Sequence, residues 1–219
     1  MGKVFLGLFA LASLIHLYFS FRDDTKGRAY TKPWPLLMLV LFYAFSAMPN
    51  INILLILALI TSWIGDVLLI FKGHKWFYAG GISFTFTHLF FMLVFTRHIQ
   101  LLAINWFIIV PVAIIYVTIS LSIVHILKDN TPKMLIPPMY GYLLCNSATN
   151  VFALMQLMSM RAPYAIVAYV GALLFFTSDC ILYLVRYHPN ENIIPKRHFP
   201  VMLCYLLGEF LITYGVLNL

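Results

Sequence analysis

The sequence predicts an all-α fold, an integral membrane bundle of eight transmembrane helices. Three observations predict it. Apolar residues make up 63% of the chain and charged residues only 10%. Mean hydropathy is +0.93. Apolar runs of about twenty residues, each enough to cross a hydrocarbon core of roughly 30 Å, recur along the whole length. A soluble domain needs a polar exterior that this composition does not supply, and no connection between the runs is long enough to hold one.

The first run, near 4–21, follows Lys3 and contains Ala10, Leu11 and Ala12, the small-residue spacing of a leader cleavage site. The run continues to Phe21, so it is expected to stay as a helix. A myristoylation signal is not expected, because Leu6 stands where Ser or Thr is required. The second run, 34–49, is short and opens on "TKPWPLLM"; the third covers 51–71 and the fourth 77–96. The fifth, 102–126, leads to a sixth at 134–158 that opens on the related text "TPKMLIPPM". The seventh spans 164–185 and the eighth 199–219. Seven crossings is the alternative count. Cys145, Cys180 and Cys204 all fall inside runs, so neither disulfides nor a zinc site are expected.

The net charge of +7 reads as topology and not as a nucleic-acid footprint. Eleven of the fourteen Lys and Arg residues fall in odd-numbered connections: Arg22, Lys26, Arg28, Lys32, Lys72, Lys75, Lys128, Lys133, Arg186, Lys196 and Arg197. Lys3, Arg97 and Arg161 lie on the other side. The positive-inside bias then puts the odd connections in the cytoplasm and both termini outside, in a bacterial inner membrane or the endoplasmic reticulum.

Only seven residues are acidic, yet two of them stand inside apolar helices, Asp66 in "SWIGDVLLIF" and Asp179 in "FFTSDCILYL". Their spacing of about half the chain suggests a single transmembrane domain, 1–219, built from parallel half-repeats of four helices, 1–100 and 101–219. The two carboxyls would then meet across a pseudo-two-fold axis. Depth points the same way. Lys72 follows Asp66 and Arg186 follows Asp179 by a similar step, which puts both roughly 10 Å inside the cytoplasmic boundary. A lipid-facing carboxylate costs roughly 3 kcal/mol on insertion scales, so such residues turn inward.

Further polar residues recur at helical spacing. Tyr142, Asn146 and Asn150 form one stripe; Tyr205, Glu209 and Thr213 form another; Gly81, Thr85 and His88 form a third. Taken singly, such residues read as hydrogen-bonding glue between helices, each worth about 0.6 kcal/mol. The two aspartates together read as function. Burial disfavours the charged form of a carboxyl and a second carboxylate adds to the effect, so the pair is expected to hold one protonated acid and one carboxylate. That equipment serves hydrolysis through an oxocarbenium ion, and equally a proton relay in a transporter. His16, His74, His88, His98, His125, His188 and His198 are scattered, and no metal is expected; nor is there a metalloprotease, serine-hydrolase or nucleotide-loop motif.

At these residues the chain resembles the YhhN-like lysoplasmalogenase family of multi-pass membrane proteins. The matching segments are "TKPWPLL" (31–37), "SWIGDVLLIF" (62–71), "FYAGGISFTFTHLFF" (77–91), "GALLFFTSDCILYL" (171–184) and "YLLGEFLI" (205–212). Three places depart from the family pattern. Thr87 stands where Gly is usual, Gly208 and Glu209 stand where Ala-Gln is usual, and "YGYLLCNSATN" (140–150) matches poorly.

The resemblance implies hydrolysis of the vinyl ether of a lysoplasmalogen to a fatty aldehyde and a glycerophospho-alcohol, with no cofactor. Asp66 and Asp179 would form the acid/base pair. His88, Asn146, Asn150, Tyr142, Ser178, Tyr205 and Glu209 would support it, and Lys32, Lys72, Lys75, Arg186 or Arg197 would meet the phosphate. The expected partners are a lysophospholipid substrate and membrane lipid. The alternatives are a proton-coupled transporter or lipid carrier using the same carboxylates, a non-catalytic scaffold, and a metal-dependent amidase of the ceramidase type.

Overall fold

The computed structural model describes residues 1–190 and 192–219. Among them the chain forms nine α-helices and no strand. These are α1 (Gly2–Phe21), α2 (Thr25–Thr31), α3 (Pro33–Ala47), α4 (Ile53–Leu68), α5 (His74–Thr96), α6 (Trp106–Leu127), α7 (Ile136–Met160), α8 (Pro163–Tyr187) and α9 (His198–Leu217). Each of the eight expected runs holds one long helix, with ends shifted by a few residues. The addition is α2, a seven-residue turn of helix in the first connection.

Local chemistry sets the starts. Asp24 accepts from the backbone N–H groups of Lys26 and Gly27 at 3.0 and 3.1 Å and so begins α2. Asn52 and Asn105 cap α4 and α6 in the same way, through Leu54 and Phe107. Proline opens α3, α7 and α8, where its missing N–H costs nothing. Between α7 and α8 the turn is made at Arg161, whose φ of 50° is left-handed.

Among the described residues five helices are long and apolar enough to cross a membrane: α1, α5, α6 with the turn after it, α8 and α9. At sixteen residues α4 is apolar but shorter. Large apolar side chains such as Phe107, Ile114 and Val4 point outward, the arrangement of a molecule whose solvent is lipid. The chain is an integral membrane protein.

The helices fall into two compact units, Met1–Val94 and Phe95–Leu219. In the first, α3 packs between α1 and α4 around buried Leu36, Leu39, Phe42, Leu55 and Leu59. Hydroxyl bonds hold α5 to α4: Ser83 Oγ donates to the Thr61 carbonyl at 2.6 Å, and Thr61 and Thr87 share a hydrogen bond at 2.9 Å. In the second unit α8 and α9 make the most extensive contact. Their backbones touch at glycines. A Cβ on Gly171 would lie 2.6 Å from the Ile212 nitrogen, and one on Gly208 would lie 2.9 Å from the Gly171 oxygen. Small residues permit this approach where no hydrophobic force drives helices together.

Candidate functional site

In the first unit Asp66 lies in the last turns of α4 and is 2% exposed. Two features of the sequence turn it inward. Gly65 sits under the Phe84 ring, where a Cβ would meet ring carbons at 2.6 Å, so α5 closes over this turn. Trp63 donates its indole N–H to the Pro33 carbonyl at 3.0 Å, tying α4 to the α2–α3 junction. That junction carries Lys32, whose Nζ lies 3.4 Å from Asp66 Oδ1. The ion pair is desolvated on both sides, the side chains being 15% and 2% exposed. Lys32, expected among the phosphate contacts, therefore already has a carboxylate beside it. His88 is buried on α5 in the same unit. Thr87, the departure from the family pattern, supplies the hydroxyl that meets Thr61.

In the second unit Asp179 is buried on α8. The phenol of Tyr142 donates to its Oδ2 at 2.6 Å, and the Asn146 amide donates to the same oxygen at 2.7 Å. Asn150 donates in turn to the Asn146 side-chain and backbone oxygens at 3.2 and 3.0 Å. The α7 stripe is thus a chain of amides ending on a carboxyl. Its direction is fixed, because Asn146 can give its N–H to Asp179 only while its oxygen faces Asn150. Ser178 donates to the Val201 carbonyl at 2.9 Å and links α8 to α9. Tyr205 packs edge-on against Phe175 at 5.3 Å, and Glu209 is fully buried on α9 beside Gly208. Tyr142, Tyr183 and Tyr187 continue as stacked or tilted rings toward the end of α8.

The other cations are at the periphery. Lys72 and Lys75 are exposed around the α4–α5 connection. Arg186 is exposed and its guanidinium lies 5.7 Å over the Tyr187 ring; Arg197 is half-buried at the start of α9. Among the described residues no three His, Cys, Asp or Glu side chains group as metal ligands.

Two residues with no assigned role in the sequence reading join the Asp66 neighbourhood. Thr31 and His16 share a hydrogen bond at 2.7 Å, immediately beside Lys32. The signal available in the sequence was the Asp24 cap, which starts α2 and turns this segment back onto α1.

These features define a polytopic membrane protein with carboxyls buried in helices and held by specific donors or a cation. A family model matches residues 27–216, and the chain belongs to the YhhN family. No curated protein and no solved structure matches it.

Proposed function

We propose that the protein is a membrane hydrolase that cleaves the vinyl ether of lysoplasmalogens. The observation that carries this reading is that two carboxyls, each buried in an apolar helix, are each held by a dedicated partner set. Asp66 has Lys32 at 3.4 Å; Asp179 has Tyr142 and Asn146 on one oxygen. Structural glue needs no such provision, and membership of the YhhN family supports hydrolase chemistry of this type.

The ammonium beside Asp66 suits it to be the carboxylate, so Asp179 takes the part of proton donor. In the proposed reaction the Asp179 proton goes to the alkene carbon and the double-bond electrons form the oxocarbenium ion, which a carboxylate stabilises. Water adds while Asp66 accepts its proton, giving a hemiacetal. Collapse of the hemiacetal breaks the carbon–oxygen bond to glycerol: the proton that Asp66 took from water passes to the departing alcohol oxygen, and the hemiacetal hydroxyl gives its proton to Asp179, so base and acid are both restored. The sum is vinyl ether plus water to aldehyde plus alcohol.

The topology proposed with this chemistry has eight crossings, both termini on the non-cytoplasmic side, and parallel four-helix repeats. The low hydropathy of α7 does not weigh against its inclusion as a span, because its polar side chains Tyr142, Asn146 and Asn150 are buried and leave the outward face apolar. The units also share a scheme: Asp66 on α4 is held from the start of α3, and Asp179 on α8 is held from α7.

The test is aldehyde release from a lysoplasmalogen by purified protein. Release is expected from the native chain and its loss from Asp66→Asn and from Asp179→Asn. Release that survives in both variants refutes the assignment. Movement of lipid across proteoliposomes with no aldehyde would instead point to the proton-coupled carrier.

A further inference from the structure

On α1 of the first unit, Ser13, His16 and Ser20 stand one turn apart on a single face. All three are buried, His16 to 1% and Ser20 to 0% exposure. The hydroxyls of Ser13 and Ser20 and the Nε2 of His16 have no hydrogen-bond partner among the described residues. Buried polar groups without partners are uncommon, and each costs stability unless something fills it.

Thr31 Oγ1 lies 2.7 Å from the Nδ1 of His16 and 2.8 Å from the Gly27 carbonyl, so Nδ1 is engaged within the protein. Nε2 is left buried, and a hydroxyl, which can both donate and accept, would satisfy it in either tautomer. A buried ring nitrogen flanked by hydroxyls, near Arg28 and Lys32, which each stand beside one carboxylate, Asp23 at 3.5 Å and Asp66 at 3.4 Å, matches an alcohol next to a phosphate.

We propose that His16, with Ser13 and Ser20 on its face and Lys32 and Arg28 at its mouth, binds the free glycerol hydroxyl and the phosphate of the lysophospholipid. This rests on the lysophospholipid reading of the substrate and deepens it. The glycerol hydroxyl bonds Nε2, and the phosphate lies against the cations. Lys32 also touches Asp66, so a ligand gripped here has its glycerol beside the proposed catalytic carboxylate. A second acyl chain on that oxygen would remove the hydroxyl, which makes the site a selector for lyso over diacyl lipid. The helix that carries it precedes the residues matched by the family model.

The test is equilibrium binding in detergent micelles, read by tryptophan fluorescence; Trp63 bonds the carbonyl of Pro33, next to Lys32. The probes are a saturated O-alkyl lysophosphatidylcholine, which has no vinyl ether to cleave, and its analogue with hydrogen in place of the glycerol hydroxyl. The native protein is expected to bind the hydroxyl form about tenfold more tightly, the cost of one unmet buried polar group. In His16→Leu the ratio is expected to fall to about one, and in His16→Gln, which keeps an acceptor, to remain above it. Equal binding of the two lipids by the native protein overturns the proposal without any variant having to fold, and so does a ratio unchanged in His16→Leu. Displacement by soluble glycerol phosphate as effective as by the lipid supports the same site with a soluble ligand as its source. Hydroxyl discrimination with no aldehyde from a lysoplasmalogen would sink the hydrolase and leave the site standing.

Discussion

Replacing Lys32 by Met removes a charge and keeps the stem that packs beside α4. At 3.4 Å two unit charges in an effective dielectric of about 20 attract by about 5 kcal/mol. Both groups gave up hydration to meet, so the net value is smaller, and deleting one member of a buried pair costs about 3–5 kcal/mol. Asp66 has the less escape, being 2% exposed against 15% for Lys32. Lys32→Met is therefore expected to destabilise by about 3 kcal/mol. Asp66→Asn, which leaves an ammonium able to swing toward water, is expected to cost about 1 kcal/mol. The double variant is expected to match Asp66→Asn alone, because Lys32→Met should be nearly neutral once the carboxylate is gone. The assay is denaturant unfolding of the four proteins in one detergent, with aldehyde release measured alongside. Additivity of the two single effects within about 0.5 kcal/mol would refute the ion pair as the element that holds Asp66.

Tyr142→Phe removes the 2.6 Å donor to Asp179 and leaves Asn146 in place. Aldehyde release is expected to fall about tenfold, the worth of one hydrogen bond to a reacting carboxyl, and kcat should carry the loss with KM little changed. Gly208→Val presses a branched side chain against the Gly171 oxygen and the Phe175 nitrogen, both 2.9 Å from the position of a Cβ. Backbone at that distance yields only by parting α8 from α9, so a loss of about 3 kcal/mol is expected by unfolding in detergent, against little for Gly141→Ala, which faces open space.

The helices were legible because hydropathy over about twenty residues is a strong signal. The proline at the head of α3 and the two prolines that open α7 marked their boundaries. The stripe of Tyr142, Asn146 and Asn150 was legible too, since helical spacing alone puts it on one face, and two of its members reach Asp179. What the stripe's spacing could not say was which carboxyl it would meet. Missing from the sequence reading was α2, a polar heptapeptide with no apolar period, recognisable only by its Asp24 cap. With α2 missed, Lys32 read as a boundary charge and not as a partner of Asp66. His16 was passed over for the same reason: a lone histidine in an apolar helix says nothing until Thr31 is folded back against it.

The hydroxyl seam of Thr61, Ser83 and Thr87 has a consequence for handling the protein. In hydrocarbon no competing water exists, and the seam stays zipped; a loosely packed micelle lets moisture reach it. The helix bearing Asp66 would then come unlatched from its neighbour long before the bundle melts. Preparations that look intact by circular dichroism would differ in turnover according to how dry the surrounding amphiphile keeps that single line of contacts.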